Sequence, residues 1–262
     1  MSEPKKYTDV NEFLMKHRTL DKEDFTHTAL GTPPKSWPGK YNITDENSNL
    51  FYNLYQKYMF EGDGTLHITE RHKEVSPILI DLDLRHKTNL SERQYNEEFI
   101  IKFLNIYISI IKHVIPSIDD DKLVAFVIEK DSPNFRRNSK GYFKDGIHII
   151  FPNLVTEPRA QYLMRYMAIK NNSILDLFKS INVINNEDDI FDIAVIERNN
   201  WLMHGSSKPN HKAYKLSNIY KVKDDKMKQI VNNYSNKDLV KLLSIRHIKD
   251  CDIINNNMYV DT

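Results

Sequence analysis

SPILIDLDLR, residues 76–85, is the stretch from which the rest of the chain is read. Pro77 to Ile80 run apolar straight into Asp81, Leu82 and Asp83. A short, β-rich apolar run of this kind predicts a buried strand. Strand side chains alternate faces, so Asp81 and Asp83 share one side while Ile80, Leu82 and Leu84 share the other. Two carboxylates at the end of a core strand repel each other and are costly to desolvate. A divalent cation compensates for both effects, and hard cations such as Mg²⁺ take one or two carboxylates together with substrate phosphates. The bare Asp-x-Asp also fits a solvated turn or a helix cap, with Asn89 to Ser91 placed to start a helix. The pair alone therefore does not decide between chemistry and structure.

The 262 residues suit one large domain or two packed lobes. Hydrophobic residues make up 40%, enough for a core, and the mean hydropathy is −0.57. Lys and Arg number 37 against 36 Asp and Glu, so any nucleic-acid surface must be a local patch. Cys251 is the one cysteine, which excludes an internal disulfide and a zinc ribbon or finger in this chain. It fits a reducing, intracellular compartment. No run reaches membrane-spanning length, so no membrane partner is expected, and the polar start MSEPKKYTD is not a signal peptide.

Residues 7–17 have helical spacing, with Thr8 or Asp9 as cap. Residues 26–41, rich in Gly and Pro, predict a loop or an irregular strand. Asp45 to Phe60 predicts a helix with Leu50, Leu54, Tyr55 and Tyr58 on one stripe. Leu66 to Glu70 alternates like a strand. Arg71, His72 and Lys73 follow as a solvated turn or a phosphate contact. Glu92 to Val114 is the strongest helix, stopped by Pro116. Val124 to Glu129 is a strand. Lys130 to Lys144 is a basic loop carrying Arg136, Arg137, Lys140 and Lys144, either an exposed hairpin or a grip on a template. Gly146 to Phe151 is a second core strand that ends at Pro152 and Asn153. It carries His148, and a lone histidine in such a strand is more often a satisfied core histidine than a ligand. Glu157 to Ser180 predicts one helix. Asn185 to Asp189 is an acidic turn, and Ile190 to Val195 a third buried strand carrying Asp192. An apolar run, Trp201 to Met203, leads into His204-Gly-Ser-Ser-Lys208, a flexible turn with two hydroxyls and one cation. Tyr214 to Val222 is a strand. Lys226 to Tyr234 and Lys237 to Ser244 are two short helices, the second capped by Ser235 or Asn236. The tail from Asp250 has no pattern. No Gly-x-x-x-x-Gly-Lys-Ser/Thr is present, which excludes a Walker-type ATPase in this chain.

Strands and helices alternate, which implies an α/β sheet with the strand ends gathered on one side. Asp81, Asp83 and Asp192 converging there would make a two-metal phosphoryl-transfer site, with His148 near a triphosphate and Ser206, Ser207 and Lys208 on its outer phosphates.

The order Asp81-x-Asp83, Gly146-x-His148 and Phe191-Asp192 resembles the archaeo-eukaryotic primase superfamily. The surrounding text HITERHKEVSPILIDLDLRH, KDGIHIIFP and DIAVIERNNWLMHGSSKP, with LSIRH at 243–247, is similar to the primase domain of primase-helicases of nucleocytoplasmic large DNA viruses. The resemblance spans about Thr26 to His247. It implies an α/β (α+β) fold in which an N-terminal α/β lobe packs on an RRM-like lobe, with the active site in the cleft between them. It implies that Asp81, Asp83 and Asp192 bind two Mg²⁺ or Mn²⁺ ions. His148, Ser206, Ser207 and Lys208 would then hold the NTP or dNTP. Gly146 stands where relatives commonly have Ser, and Leu202 about where they often have Arg. Arg198 is the nearest substitute for that Arg.

The resulting expectation is a primase or primase-polymerase, a nucleotidyltransferase making primers on single-stranded DNA in viral replication. The template would run over Arg71, Lys73, Arg136, Arg137, Lys140 and Lys144. Residues 1–25 are expected as a helical extension, 26–222 as the catalytic domain and 223–262 as a helical segment and linker. The chain is expected to be a fragment, or an isolated domain with a separate partner. A helicase is expected in the parent chain or as that partner, and the setting is a cytoplasmic replication factory or the nucleus of a host cell. Two alternatives stand beside this. One is a catalytically silent single-stranded nucleic-acid-binding module. The other is a metal-dependent replication nuclease, which needs a His-x-His pair where this strand reads His148-Ile149-Ile150.

Overall fold

The computed structural model describes residues 9–31, 37–62, 64–137, 141–248 and 253–254. In chain order the elements are α1 (Val10–Lys16), β1 (Arg18–Thr19), β2 (His27–Ala29), β3 (Gly39–Tyr41), α2 (Asp45–Gln56), β4 (Ile68–Glu70), β5 (Ser76–His86), α3 (Glu97–Val114), β6 (Val124–Glu129), β7 (Asn134–Arg136), β8 (Tyr142–Thr156), α4 (Pro158–Lys170), α5 (Asn172–Ser180), α6 (Glu187–Ile190), β9 (Trp201–Leu202), β10 (Lys215–Lys223), β11 (Lys226–Ile230), α7 (Asn236–Leu242) and β12 (Ile253–Ile254). Among the described residues these seven helices and two largely antiparallel sheets make a mixed α/β fold. The chain divides into two compact units, each assembled from three separate segments.

The first unit comprises residues 1–73, 200–214 and 233–247. Its sheet runs β1-β3-β2-β4-β9, with every pair antiparallel. The Gly/Pro-rich segment 26–41 thus supplies two strands, with residues 32–36 outside the described residues. Asp9 caps α1 by accepting from the Asn11 and Glu12 amides. Val10, Phe13 and Leu14 enter a core with Tyr41, Phe51, Tyr52, Tyr55, Ile68 and Val240. On α2 the buried side chains are Phe51, Tyr52 and Tyr55, while Leu50 is 38% exposed. The large rings win the inward stripe because each removes more apolar surface from water than a leucine. Beyond Gln56 the helix widens into a π-turn over Lys57–Glu61, short of the predicted regular helix.

The second unit comprises 74–199, 215–232 and 248–262. β8 is its axis. β5 pairs along one edge of β8, and β7, β6 and β12 pair successively along the other, followed by β10 and β11. β5 and β6 are both antiparallel to β8, so they are parallel to each other and need the α3 crossover between them. The sheet is therefore mixed and mainly antiparallel, not a parallel sheet with its strand ends on one side. Ile78, Ile80, Leu82 and Leu84 pack into the core with α3 residues such as Phe103, Leu104 and Ile111. Each contributes roughly 1.5–3 kcal/mol by burial, which outweighs the cost of two half-buried carboxylates on the opposite face. Asp81 and Asp83 lie in the body of β5, because the strand runs on to His86.

Several boundaries differ from the expected ones, each for a local reason. Asn96 caps α3 through the Phe99 amide, so the helix starts at Glu97 and not at Glu92. β8 continues through Pro152 and Asn153 to Thr156, with the register shift against β5 at Pro77/Ile78. A proline lacks a ladder donor and is tolerated at such an irregularity. The helix expected over 157–180 breaks at Asn171, whose side chain accepts from Ile174 N and restarts it as α5. The segment Lys226–Ile230 is a strand, not a helix: Asp224 and Asp225 both have positive φ and turn β10 back on itself. Within the basic loop 130–144, residues 134–136 form β7 and residues 142–144 begin β8, while Lys140 lies outside the described residues. Of the tail, Ile253 and Ile254 pair with β8 and the rest lies outside the described residues.

Candidate active site

The face of the second unit's sheet that carries the acids is set by register. Asp81 stands directly opposite His148, and Asp83 opposite Gly146. His148 Nε2 lies 3.5 Å from Asp81 Oδ1. Lys144, two residues before Gly146 on the same face of β8, reaches back to Asp83, with Nζ 2.6 Å from Oδ2. Lys130, just past β6, donates from Nζ to the Lys144 carbonyl at 3.4 Å. Burial, and next the Lys144 charge, pull the Lys130 ammonium down to about 8. The spacing of the two acids was legible in the sequence. The cation on Asp83 was not, because Lys144 lies 61 positions away and reads as part of a loop.

Asp192 sits on a turn, not on the expected third strand. Asn186 caps α6, and Asp192 caps the following 3₁₀ turn over Ile193–Val195 by accepting from Ala194 N at 2.9 Å. Among the described residues one β-bridge, Phe191 to Leu82, pairs this segment with β5. The Asp192 amide donates to the Asp81 carbonyl at 3.0 Å, which fixes its backbone beside the first acid. Asn185 holds the same edge, donating from Nδ2 to the Asp83 carbonyl at 2.8 Å and accepting from the Arg85 amide. Arg165 donates to the Phe191 and Asp188 carbonyls and pins the loop from behind.

Beneath the acids, on the helix side, lies a buried ionic cluster that sequence reading missed. Asp145 is wholly buried and accepts from Arg93 Nε at 2.9 Å. Arg93 also meets Glu129 at 3.1 Å and donates to the Lys130 carbonyl at 2.6 Å. Tyr95 donates to Glu129 at 2.8 Å. The cluster ties the β6 end to β8 directly under Lys130 and Lys144. Its only sequence signal is an acid, Asp145, at an inward position of an apolar strand.

The other candidate residues are distributed as follows. Arg198, in the second unit, is exposed. Arg136 pairs with Tyr142 across the β7–β8 hairpin, and Arg137 is exposed just after β7. Ser206, Ser207, Lys208, Arg71 and Lys73 belong to the first unit. There the Ser206 hydroxyl is buried, accepting from the Ile68 amide at 3.1 Å and sharing a hydrogen bond with the Tyr55 hydroxyl at 2.9 Å. The Ser207 carbonyl meets His67 Nδ1 at 2.6 Å. Gly205 has φ +86°, and a Cβ there would stand 2.7 Å from the Phe60 ring. Lys208 is exposed. Lys73 is paired with Asp45 at 2.9 Å, and Arg71 lies over the Phe25 ring.

Asp81, Asp83 and Asp192 supply hard oxygen donors, the ligand chemistry that Mg²⁺ and Mn²⁺ prefer. Among the described residues no three His, Cys, Asp or Glu side chains form a ready-made cage.

Residues 26–220 match the family model described as "C962R protein N-terminal AEP domain", and the chain belongs to that family, the archaeo-eukaryotic primases. Over 206 residues it is 36% identical to the protein named "Putative helicase L207/L206" of Acanthamoeba polyphaga mimivirus, covering 77% of this chain and 20% of that protein. It is 30% identical over 232 residues to "Putative helicase 184R" of Invertebrate iridescent virus 6, covering 81% of this chain and 23% of that one. It is 28% identical over 218 residues to "Putative helicase 121R" of Invertebrate iridescent virus 3, covering 75% and 21%. The chain spans about a fifth of the length of these viral relatives. Among the described residues no helix is long and apolar enough to cross a membrane.

Proposed function

We propose that the chain is the nucleotidyltransferase domain of a viral primase, extending primers from NTPs or dNTPs on single-stranded DNA. The observation that carries this reading is the pairing on one sheet face: Asp81 and Asp83 two residues apart on β5, with His148 directly opposite the first. Membership of the archaeo-eukaryotic primases supports a primase-type function.

In this reading Asp81, Asp83 and Asp192 hold two Mg²⁺ or Mn²⁺ ions. When bound, such ions lower the pKa of the attacking 3′-hydroxyl and neutralise the phosphates and the departing pyrophosphate. The chain's own residues orient the reactants. The His148 ring stands beside the carboxylates, where a protonated Nε2 donates to a phosphate oxygen. The Ser206 hydroxyl bonds to the Ile68 amide and the Tyr55 hydroxyl, which shapes the loop before Lys208. Arg136, Arg137 and Lys144 line the β7–β8 hairpin, and with Lys140 they serve the template through phosphate charge. Arg198 contributes to the nucleotide side. A helicase region or partner follows from the names of the relatives, and the setting is a host cytoplasmic factory or nucleus. The nuclease alternative loses support because the second position of its His-x-His motif is Ile150, buried on the same strand.

The test is primer synthesis on single-stranded poly-dT and mixed templates with NTPs or dNTPs and Mg²⁺ or Mn²⁺. Wild type should make oligonucleotides, and Asp81→Asn with Asp83→Asn should lower the yield at least about a hundredfold. Equal yields from both would show that the acids are not the site. DNA binding with no product from wild type would favour the silent binding module.

A further inference from the structure

Lys144 is not the cross-strand partner of Asp83. That partner is Gly146, and Lys144 itself stands opposite Arg85. To bring Nζ to 2.6 Å from Asp83 Oδ2, the lysine side chain runs diagonally across the sheet face. Gly146, the position directly opposite Asp83, carries no side chain. The reach is supported from both sides of the sheet. Lys130 holds the Lys144 carbonyl, and Arg93 clamps the neighbouring Asp145 from the helix face while gripping the Lys130 carbonyl. The ammonium is thus delivered to the acids by a built arrangement rather than by a loose surface chain.

We propose that Lys144 is the resting counter-ion of the Asp81/Asp83 pair, and that a divalent cation enters by displacing its ammonium from Asp83. This rests on the assignment of a cation to these carboxylates made above. An ammonium has donors only, and it competes with a metal for the same carboxylate lone pairs. Without it, two neighbouring carboxylates would face each other across one strand repeat. The exchange also changes the charge of the face. Asp81, Asp83 and Asp192 with one ammonium leave a net double negative charge, which repels an anionic substrate, and each divalent ion that enters makes the face two charges more positive.

The test is titration of the whole chain with Mn²⁺ without nucleotide, following the electron paramagnetic resonance signal of free Mn²⁺. Lys144→Gln should bind Mn²⁺ about tenfold tighter than wild type, because the competing charge is gone. Lys144→Arg should stay within about threefold of wild type, and Asp83→Asn should abolish the site. If Lys144→Gln binds as wild type or more weakly, while Asp83→Asn still abolishes binding, the counter-ion role is wrong and the cation site stands. If no Mn²⁺ binding depends on Asp83, the cation site itself is wrong and the counter-ion role falls with it.

Discussion

At Lys130 the folded chain disfavours the charged ammonium, holding its pKa at about 8 through burial and the neighbouring Lys144 charge. The unfolded chain has the ordinary value near 10.5. Between these values the unfolded state binds more protons, so this residue makes stability rise as pH increases from about 8 to about 10.5. Below about 8 its penalty is fully present. Urea midpoints measured from pH 7 to 10 should therefore climb more steeply for wild type than for Lys130→Met, and parallel curves would contradict the shift. Arg93 makes a different prediction. Its removal leaves Asp145 charged, wholly buried and without its guanidinium partner. Arg93→Met should destabilise the chain by about 3 kcal/mol in urea unfolding, because an uncompensated buried carboxylate is costly.

Turns and strands differ in how plainly the sequence announces them. β5 and β6 are legible because aliphatic and β-branched residues run without interruption, and α3 because its apolar positions recur over five turns. The site is half legible: Asp81, Asp83 and His148 come from local alternation. The Lys144 contact and the Arg93–Asp145 clamp depend on register between distant strands, which no local pattern encodes. Ile190 to Val195 misleads because its composition is strand-like while Asn186 and Asp192 spend their side chains on caps. Lys226 to Ile230 misleads because the turn before it is Asp224-Asp225, which lacks the usual glycine. That turn yields a prediction. Asp225 has φ 58°, a left-handed conformation that costs a non-glycine residue about 1 kcal/mol. Asp225→Gly should raise stability by up to about 1 kcal/mol, read as a higher thermal midpoint, and a lowered midpoint would argue against this hairpin.

Across the whole molecule, each unit draws on three separated lengths of chain. The first unit needs its last segment for more than apolar cover. Glu70 is fully buried, and its carboxylate is satisfied by the Ser244 hydroxyl at 2.6 Å and the Ile245 amide at 2.9 Å. A chain ending at residue 222, where the family match has already closed, loses both donors along with α7 and β11. It should be insoluble or melt far below a chain ending at 248, measured by circular dichroism. Equal melting of the two would show that Glu70 does not need the 243–247 segment.

The same interleaving has a cost in time. On a ribosome adding about 5–20 residues per second, α1 emerges first. Its Val10, Phe13 and Leu14 belong to a core completed by Met203 and Val240. For many seconds those side chains have no permanent cover, and β5 must likewise wait for β8 before its edge is paired. The nascent chain is therefore a natural client for chaperones that shield apolar segments, and slowing translation after β5 should increase its aggregation in the cell.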